Sequence, residues 1–103
     1  MKYKINYFIN NKMQTGGGGK KELILFKADW CGHCTKFLPG WQQLQNEMKD
    51  VKFTTYECDK DESKVKKYNV DKFPSIFLKT GGNVYEYMSE RNLEMIKQFV
   101  NSF

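Results

Sequence analysis

The most constraining feature of this chain is a short apolar run that stops just before a pair of cysteines. Glu22–Ala28 (ELILFKA) is almost continuously apolar, which is typical of a β-strand buried on both faces in an α/β sheet. Cys31 and Cys34 follow, two residues of spacer apart, with the only histidine, His33, between them. A strand that ends at Ala28 and a helix that begins near Cys31 place the first thiol at the amino end of that helix.

The remaining pattern predicts one domain in which strands and helices alternate, since 103 residues fit a single domain. A glycine run at Thr15–Gly19 predicts a loop after the first strand. The predicted elements are strands at Lys2–Asn10 and Glu22–Ala28, a helix from Cys31 to Lys49 with Pro39 inside it, an inner strand at Val51–Asp59, a short helix capped by Asp61 or Ser63 and running through Tyr68, strands at Ser75–Lys79 and Asn83–Met88, and a helix at Asn92–Phe99. Strand–helix–strand units followed by a hairpin imply a mixed sheet with helices on both faces.

The position of Cys31 suits a reactive thiol. Unpaired backbone N–H groups and the positive end of the helix dipole stabilise an anion, so we expect the pKa of Cys31 to lie below that of a free thiol. Cys34 falls one turn further in and should be less exposed. Cys31 is therefore predicted to attack or be attacked, and Cys34 to resolve the mixed disulfide. Gly32 is predicted to give a tight turn and a close backbone approach, and a protonated His33 would further stabilise reduced Cys31.

Two other interpretations of the cysteine pair are weaker. A structural Cys31–Cys34 disulfide would close too small a loop to stabilise the fold much. A metal site needs four ligands, and the nearby candidates are Cys31, His33, Cys34 and Cys58, without a second C-x-x-C. Cys58 lies in a strand pattern and is predicted to be a small buried core residue. We therefore expect no metal and no cofactor.

Charge and hydropathy narrow the classes of partner. The net charge is +5, but Arg91 is the only arginine, whereas nucleic-acid readers usually use arginines for forked contacts. No apolar run approaches the roughly 20 residues that span a bilayer, and the first residues do not resemble a signal peptide. The expectation is a cytoplasmic monomer that binds neither nucleic acid nor membrane. The endoplasmic reticulum or a virion is the alternative if the chain is viral or an excised domain.

Three features together resemble the thioredoxin superfamily: W-C-G-H-C after an apolar strand, Pro39 eight residues past the first cysteine, and Phe73-Pro74-Ser75 before a late strand. The C-G-H-C form is more similar to the catalytic domains of protein disulfide isomerases than to thioredoxin, which usually has C-G-P-C. The resemblance covers Glu22 to Phe103 and implies a thioredoxin fold, a central mixed β-sheet flanked by helices. The first helix would be shortened or missing, because residues 1–21 diverge into a strand and a glycine-rich loop.

The resemblance also implies roles for individual residues. Cys31 matches the nucleophile, Cys34 the resolving cysteine, and Pro74 the family's cis-proline, which lies against the cysteine pair and exposes a backbone edge to the substrate. Trp30 and Phe73 would flank the pair and contact an extended or unfolded substrate, with ordinary core or rim packing as the alternative. Arg91 aligns with an arginine that moves toward the second cysteine and lowers its pKa, and a solvated surface arginine is the alternative.

Two departures affect the expected chemistry. The family usually has a buried acid six residues before the first cysteine, and here that residue is Leu25. The lysine that often accompanies the acid is replaced by Thr55. Proton transfer from Cys34 must then use water or another group, so we expect slower turnover or a dependence on Arg91.

Three functions remain open from the sequence. The first is a thiol–disulfide oxidoreductase of isomerase type, acting on protein thiols and disulfides. The second is a thioredoxin-type reductase recharged by a flavoprotein. The third is a non-catalytic module that uses the fold for binding or structure, which the missing acid at Leu25 favours. Candidate redox partners are a thiol oxidase, glutathione or thioredoxin reductase.

Overall fold

The structure, a computed structural model, describes residues 3–5 and 21–103. Its elements are β1 (Tyr3–Ile5), β2 (Lys21–Lys27), α1 (Gly32–Glu47), β3 (Val51–Glu57), α2 (Glu62–Lys67), β4 (Ser75–Thr80), β5 (Asn83–Tyr87) and α3 (Leu93–Asn101). The strands form one sheet in the order β1-β5-β4-β2-β3. Strands β2 and β3 are parallel, and the other neighbouring pairs are antiparallel. The predicted mixed sheet is confirmed.

Strand β2 is buried on both faces, as its apolar sequence predicted. Leu23 and Leu25 point into a core built with α1 and α3, whose members include Trp41, Leu44, Ile96 and Val100. Ile24 and Phe26 point to the opposite face, into a second core with Tyr68, Phe77 and Val84. Helices therefore cover both faces of the sheet. Successive side chains of β2 point to opposite faces, so this one strand contributes to both cores.

Strand β3 lies at the edge of the sheet, so its prediction as an inner strand is wrong. It pairs only with β2 among the strands that the structure describes. Val51 is its one buried residue, and its polar side chains Thr54 and Thr55 suit a strand with one face partly in water. The strand ends at Glu57, which leaves Cys58 in the following turn.

Helix boundaries shift by one or two residues from the prediction. Helix α1 contains Pro39 as predicted and ends at Glu47 rather than Lys49. Helix α3 begins one residue later than predicted, because the Asn92 side chain caps it by accepting a 3.1 Å hydrogen bond from the Met95 N–H. Within residues 3–5 and 21–103, each helix is too short or too polar to cross a bilayer.

The amino-terminal predictions are covered only in part. Strand β1 lies within the predicted strand at Lys2–Asn10 and pairs with β5. The remainder of that strand, the Thr15–Gly19 loop and the shortened or missing first helix lie outside the described residues.

Candidate active site

Cys31 is the residue that starts helix α1. Strand β2 ends at Lys27, and the chain then turns so that the Cys31 N–H donates to the Ala28 carbonyl at 3.0 Å. Cys31 has an extended backbone, and its Sγ accepts a 3.3 Å hydrogen bond from the Cys34 N–H. The thiol itself therefore caps the helix, which confirms the prediction that α1 begins near Cys31.

The loop before β4 closes the site from the other side. The Cys31 Sγ lies 3.6 Å from the Phe73 carbonyl oxygen, to which the thiol can donate. The Phe73–Pro74 peptide bond is cis, and Pro74 is buried. The structure thus brings Cys31, Phe73 and Pro74 together, although they are far apart in the sequence.

The two thiols differ in their access to solvent. Cys31 exposes 9% of its surface, whereas Cys34 exposes 2%. Cys34 is the deeper residue, as its position one turn into the helix predicted. A reacting sulfur therefore has a narrow approach to Cys31 and no direct approach to Cys34.

Hydrogen bonding and burial move the two pKa values in opposite directions. A hydrogen bond from the Cys34 thiol lowers the pKa of Cys31, whereas burial raises it. Three further groups lower this pKa: the backbone N–H groups of Cys34 and His33, and the charge of Arg91. Burial raises the pKa of Cys34 to about 11, helped by its hydrogen bond to Cys31 and the negative charge there. Cys31 is therefore the thiol of the pair that loses its proton first, and Cys34 keeps its own.

The residues between the cysteines are both exposed. His33 contributes its backbone N–H to Cys31, which the sequence did not predict. Gly32 is the first residue of α1, and the tight turn lies before it at Asp29 and Trp30, so the prediction of a tight turn at this glycine is wrong. A Cβ at Gly32 would meet nothing within 4 Å, which leaves open space for an approaching backbone.

Trp30 and Phe73 form an apolar surface beside Cys31. Trp30 is 68% exposed, so it is not a core residue. Phe73 is half-buried, and the two rings meet edge to face with centroids 6.0 Å apart.

Arg91 is also exposed and lines a cavity that includes Pro74 and Met88. The side chain of Met88, another apolar group, is exposed as well.

The two departures from the family pattern are direct neighbours in space. Leu25 on β2 pairs with Thr55 on β3, and Leu25 is 1% exposed. The Thr55 hydroxyl accepts a 3.0 Å hydrogen bond from the Trp41 indole N–H. An apolar side chain and a hydroxyl therefore occupy the two positions where the resemblance implied an acid and a lysine.

Sequence reasoning missed an ion pair next to the cysteines. The Lys27 ammonium lies 2.5 Å from a carboxylate oxygen of Asp29, and only 19% of the Lys27 side chain is exposed. Glu57 pairs with Lys27 across the strands and accepts hydrogen bonds from the N–H groups of Asp29 and Asp59. The sequence feature that could have indicated this ion pair is a lysine followed two residues later by an aspartate, at the end of a predicted strand.

Cys58 is buried, as predicted, and packs with Ala28, Cys31 and Cys34. Burial raises its pKa to about 11, with Asp59 acting in the same direction.

Among residues 3–5 and 21–103, the group with metal-ligand spacing is Glu57, Cys58 and Asp59, whose ligand atoms lie within 4.8 Å of one another. Of the four ligands considered from the sequence, Cys58 alone belongs to this group.

Comparisons with known proteins give one consistent family. The thioredoxin family model matches residues 9–102. The chain is 34% identical over 91 residues to a probable protein disulfide-isomerase A6 of Medicago sativa, covering 84% of this chain and 25% of that protein. It is 32% identical over 87 residues to the protein disulfide-isomerase of Gallus gallus, covering 81% of this chain and 17% of that protein. This chain thus spans a quarter or less of the length of these two relatives.

Solved structures share the fold over most of the chain. Fasciola hepatica thioredoxin superimposes with a TM-score of 0.74 at 25% identity, covering 82% of this chain and 81% of that one. The first thioredoxin domain of mouse protein disulfide-isomerase A4 also gives a TM-score of 0.74 at 25% identity, covering 81% of this chain and 62% of that one.

Proposed function

Because this chain belongs to the thioredoxin family, we propose that it is a thiol–disulfide oxidoreductase that exchanges disulfides with protein cysteines through Cys31 and Cys34. The observation that carries the proposal is the division of charge between the thiols. The pKa of Cys31 is lowered at the helix start, and that of Cys34 is raised in the interior. A nucleophile and a resolving thiol need this difference.

The proposed reaction has two exchange steps. The Cys31 thiolate attacks a substrate disulfide, a mixed disulfide forms, and the electron pair of the broken S–S bond leaves on the first substrate sulfur. The charge on Cys31 is then gone, so one cause of the high pKa of Cys34 disappears. Cys34 gives its proton to water and attacks the Cys31 sulfur, and the second substrate thiolate leaves. Oxidation of a substrate dithiol is the reverse sequence.

The surroundings of Cys31 support a protein substrate. Trp30 and Phe73 offer apolar contact beside the narrow approach to the sulfur, and the open space at Gly32 leaves room for a backbone. The cis Phe73–Pro74 bond lies in the loop that contacts Cys31. We propose Trp30, Phe73 and Pro74 as substrate-contacting residues. The resemblance implied that Arg91 acts on Cys34, and we propose that its charge also favours the Cys31 thiolate, whose pKa it lowers.

The thiols should differ in reactivity in a predictable way. We expect iodoacetamide to alkylate Cys31 below about pH 8 while Cys34 and Cys58 stay largely unmodified, because thiolate is the reacting form. A thiol with a lowered pKa forms its thiolate at a lower pH, as expected for Cys31. Cys34 and Cys58 have pKa values of about 11 and stay protonated there. The measurement is the pH dependence of alkylation, with the modified cysteine identified by mass spectrometry. Equal reactivity of Cys31 and Cys34 at every pH would contradict the proposal.

The direction of exchange depends on the reduction potential. The C-G-H-C sequence and the similarity to disulfide isomerases favour an isomerase-like function, whereas thioredoxins among the similar structures favour a reductase. We expect equilibration with glutathione redox buffers to give a potential near that of protein disulfide isomerase, about −180 mV. A value near about −270 mV would instead assign the thioredoxin-type reductase function.

A further inference from the structure

The ion pair of Lys27 and Asp29 has no part in the two exchange steps described above, although it lies beside the thiols. Side chains of β2 alternate between the faces of the sheet, and Leu23 and Leu25 point toward α1. Lys27 is the next residue on that face, at the strand end nearest the cysteines. Its carbonyl accepts the Cys58 N–H at 2.9 Å. The following residue, Ala28, packs against the three thiols.

The charge of Lys27 is held in place rather than free in solvent. Its ammonium lies 2.5 Å from Asp29, and its side chain is partly buried. The hydrogen bond to Asp29 raises the pKa of Lys27, with the charges of Asp29, Glu57 and Cys34 in the same direction. Lys27 is therefore a cation throughout the pH range in which thiols exchange.

From this placement we propose that Lys27 is a positioning residue that stabilises the Cys34 thiolate in the resolving step. The inference rests on the proposed exchange function. With Leu25 and Thr55 in place of the implied acid and lysine, the resolving thiol has no carboxylate at that position to take its proton. A fixed cation favours the anion instead, and water receives the proton.

Charged groups of both signs surround Lys27. Asp29 follows it in the chain, and Glu57 faces it from β3. Lys60 faces Asp29, and Cys31 and Cys58 adjoin Cys34. The charge of Lys27 lowers the pKa of Cys34 against the larger effect of burial. Neutralising Lys27 should therefore shift the formation of the Cys34 thiolate to higher pH.

A two-phase reaction separates the steps. In a Cys58→Ala background, dithionitrobenzoate reacts first with Cys31 and releases one nitrothiobenzoate, and attack by Cys34 on the resulting mixed disulfide then releases the second. We expect Lys27→Met to slow the second phase about threefold to tenfold at neutral pH and to move its pH profile upward. The first phase should stay within about twofold of the parent, because Lys27 is not among the groups that shift Cys31.

Two variants separate charge from packing. Lys27→Arg keeps the charge and should restore most of the second-phase rate. Lys21→Met is the matched control, because Lys21 lies on the same strand face but at the other end, where its ammonium donates to the Val100 carbonyl. It should change neither phase. Asp29→Asn should accelerate the second phase, since it removes a negative charge and leaves Lys27 less neutralised, and this variant tests the inference if Lys27→Met does not fold.

The outcomes distinguish this inference from the proposed function. An unchanged second-phase rate and pH profile in Lys27→Met would overturn the inference alone. A Lys27→Arg variant as slow as Lys27→Met would assign the effect to packing and would also overturn it. Absence of the fast first phase in the Cys58→Ala parent would instead contradict the exchange function itself.

Discussion

Replacing Cys31 with serine should reduce disulfide exchange by a factor on the order of a thousand or more. A serine hydroxyl does not ionise near neutral pH and forms no disulfide, so neither exchange step can begin. The rate of reaction with oxidised glutathione, and with a peptide that contains one disulfide, measures this loss. The fold should survive, because a hydroxyl at the helix start can still accept the hydrogen bond from the Cys34 N–H.

The other two cysteines provide matched controls. Cys34→Ser keeps the nucleophile and loses only resolution, so mixed disulfides on Cys31 should accumulate, and their mass would identify the trapped substrate. Cys58→Ser removes a thiol that neither step uses, and exchange should stay within about twofold of the parent. A Cys31→Ser chain that loses exchange but keeps the parent's biological effect would favour the non-catalytic module, the alternative that Leu25 supports.

The largest effect on stability is expected at Phe26. This ring is fully buried in the core on the α2 face, with centroids 5.2 Å from Tyr56, 5.3 Å from Tyr68 and 5.6 Å from Phe77. Phe26→Ala should lower the free energy of unfolding by about 3–5 kcal/mol, because the substitution removes buried apolar surface and leaves a cavity. That loss is a large part of the roughly 5–15 kcal/mol that stabilises a typical domain. Urea or guanidinium unfolding measures it.

Phe53→Ala is the control for this substitution. Phe53 lies on the edge strand β3 and is half-buried against Trp41, with ring centroids 5.1 Å apart. The same deletion there should lower the free energy of unfolding by about half as much or less, because less surface leaves water on folding. Equal losses at Phe26 and Phe53 would contradict the assignment of Phe26 to the tightly packed core.

Features encoded by neighbouring residues were predictable. The run of Glu22–Ala28 predicted a strand buried on both faces, and the structure buries Leu23 and Ile24 on opposite faces. The position of Cys31 after that strand predicted a thiol at the helix start. The roles assigned to the cysteines remain predictions, and the opposite shifts of their pKa values support them.

Features set by long-range packing were not predictable in the same way. The residues of β3 have the composition of a strand, but its place at the edge depends on which strands pair with β2. The sequence alone predicts a solvated lysine at Lys27, whereas its side chain is partly buried and the Cys58 N–H, in the turn after β3, donates to its carbonyl. The tight turn expected at Gly32 failed because the helix begins there directly.

The placement of the two tryptophans gives the chain two separate optical reporters. Trp41 is 3% exposed within the core, so its emission should change when the domain unfolds. Trp30 is in water beside the reacting sulfur, so a quencher dissolved in the solvent should reach it first, and a docked polypeptide should shield it. Fluorescence of Trp41→Phe and Trp30→Phe proteins would therefore record binding and unfolding as independent signals.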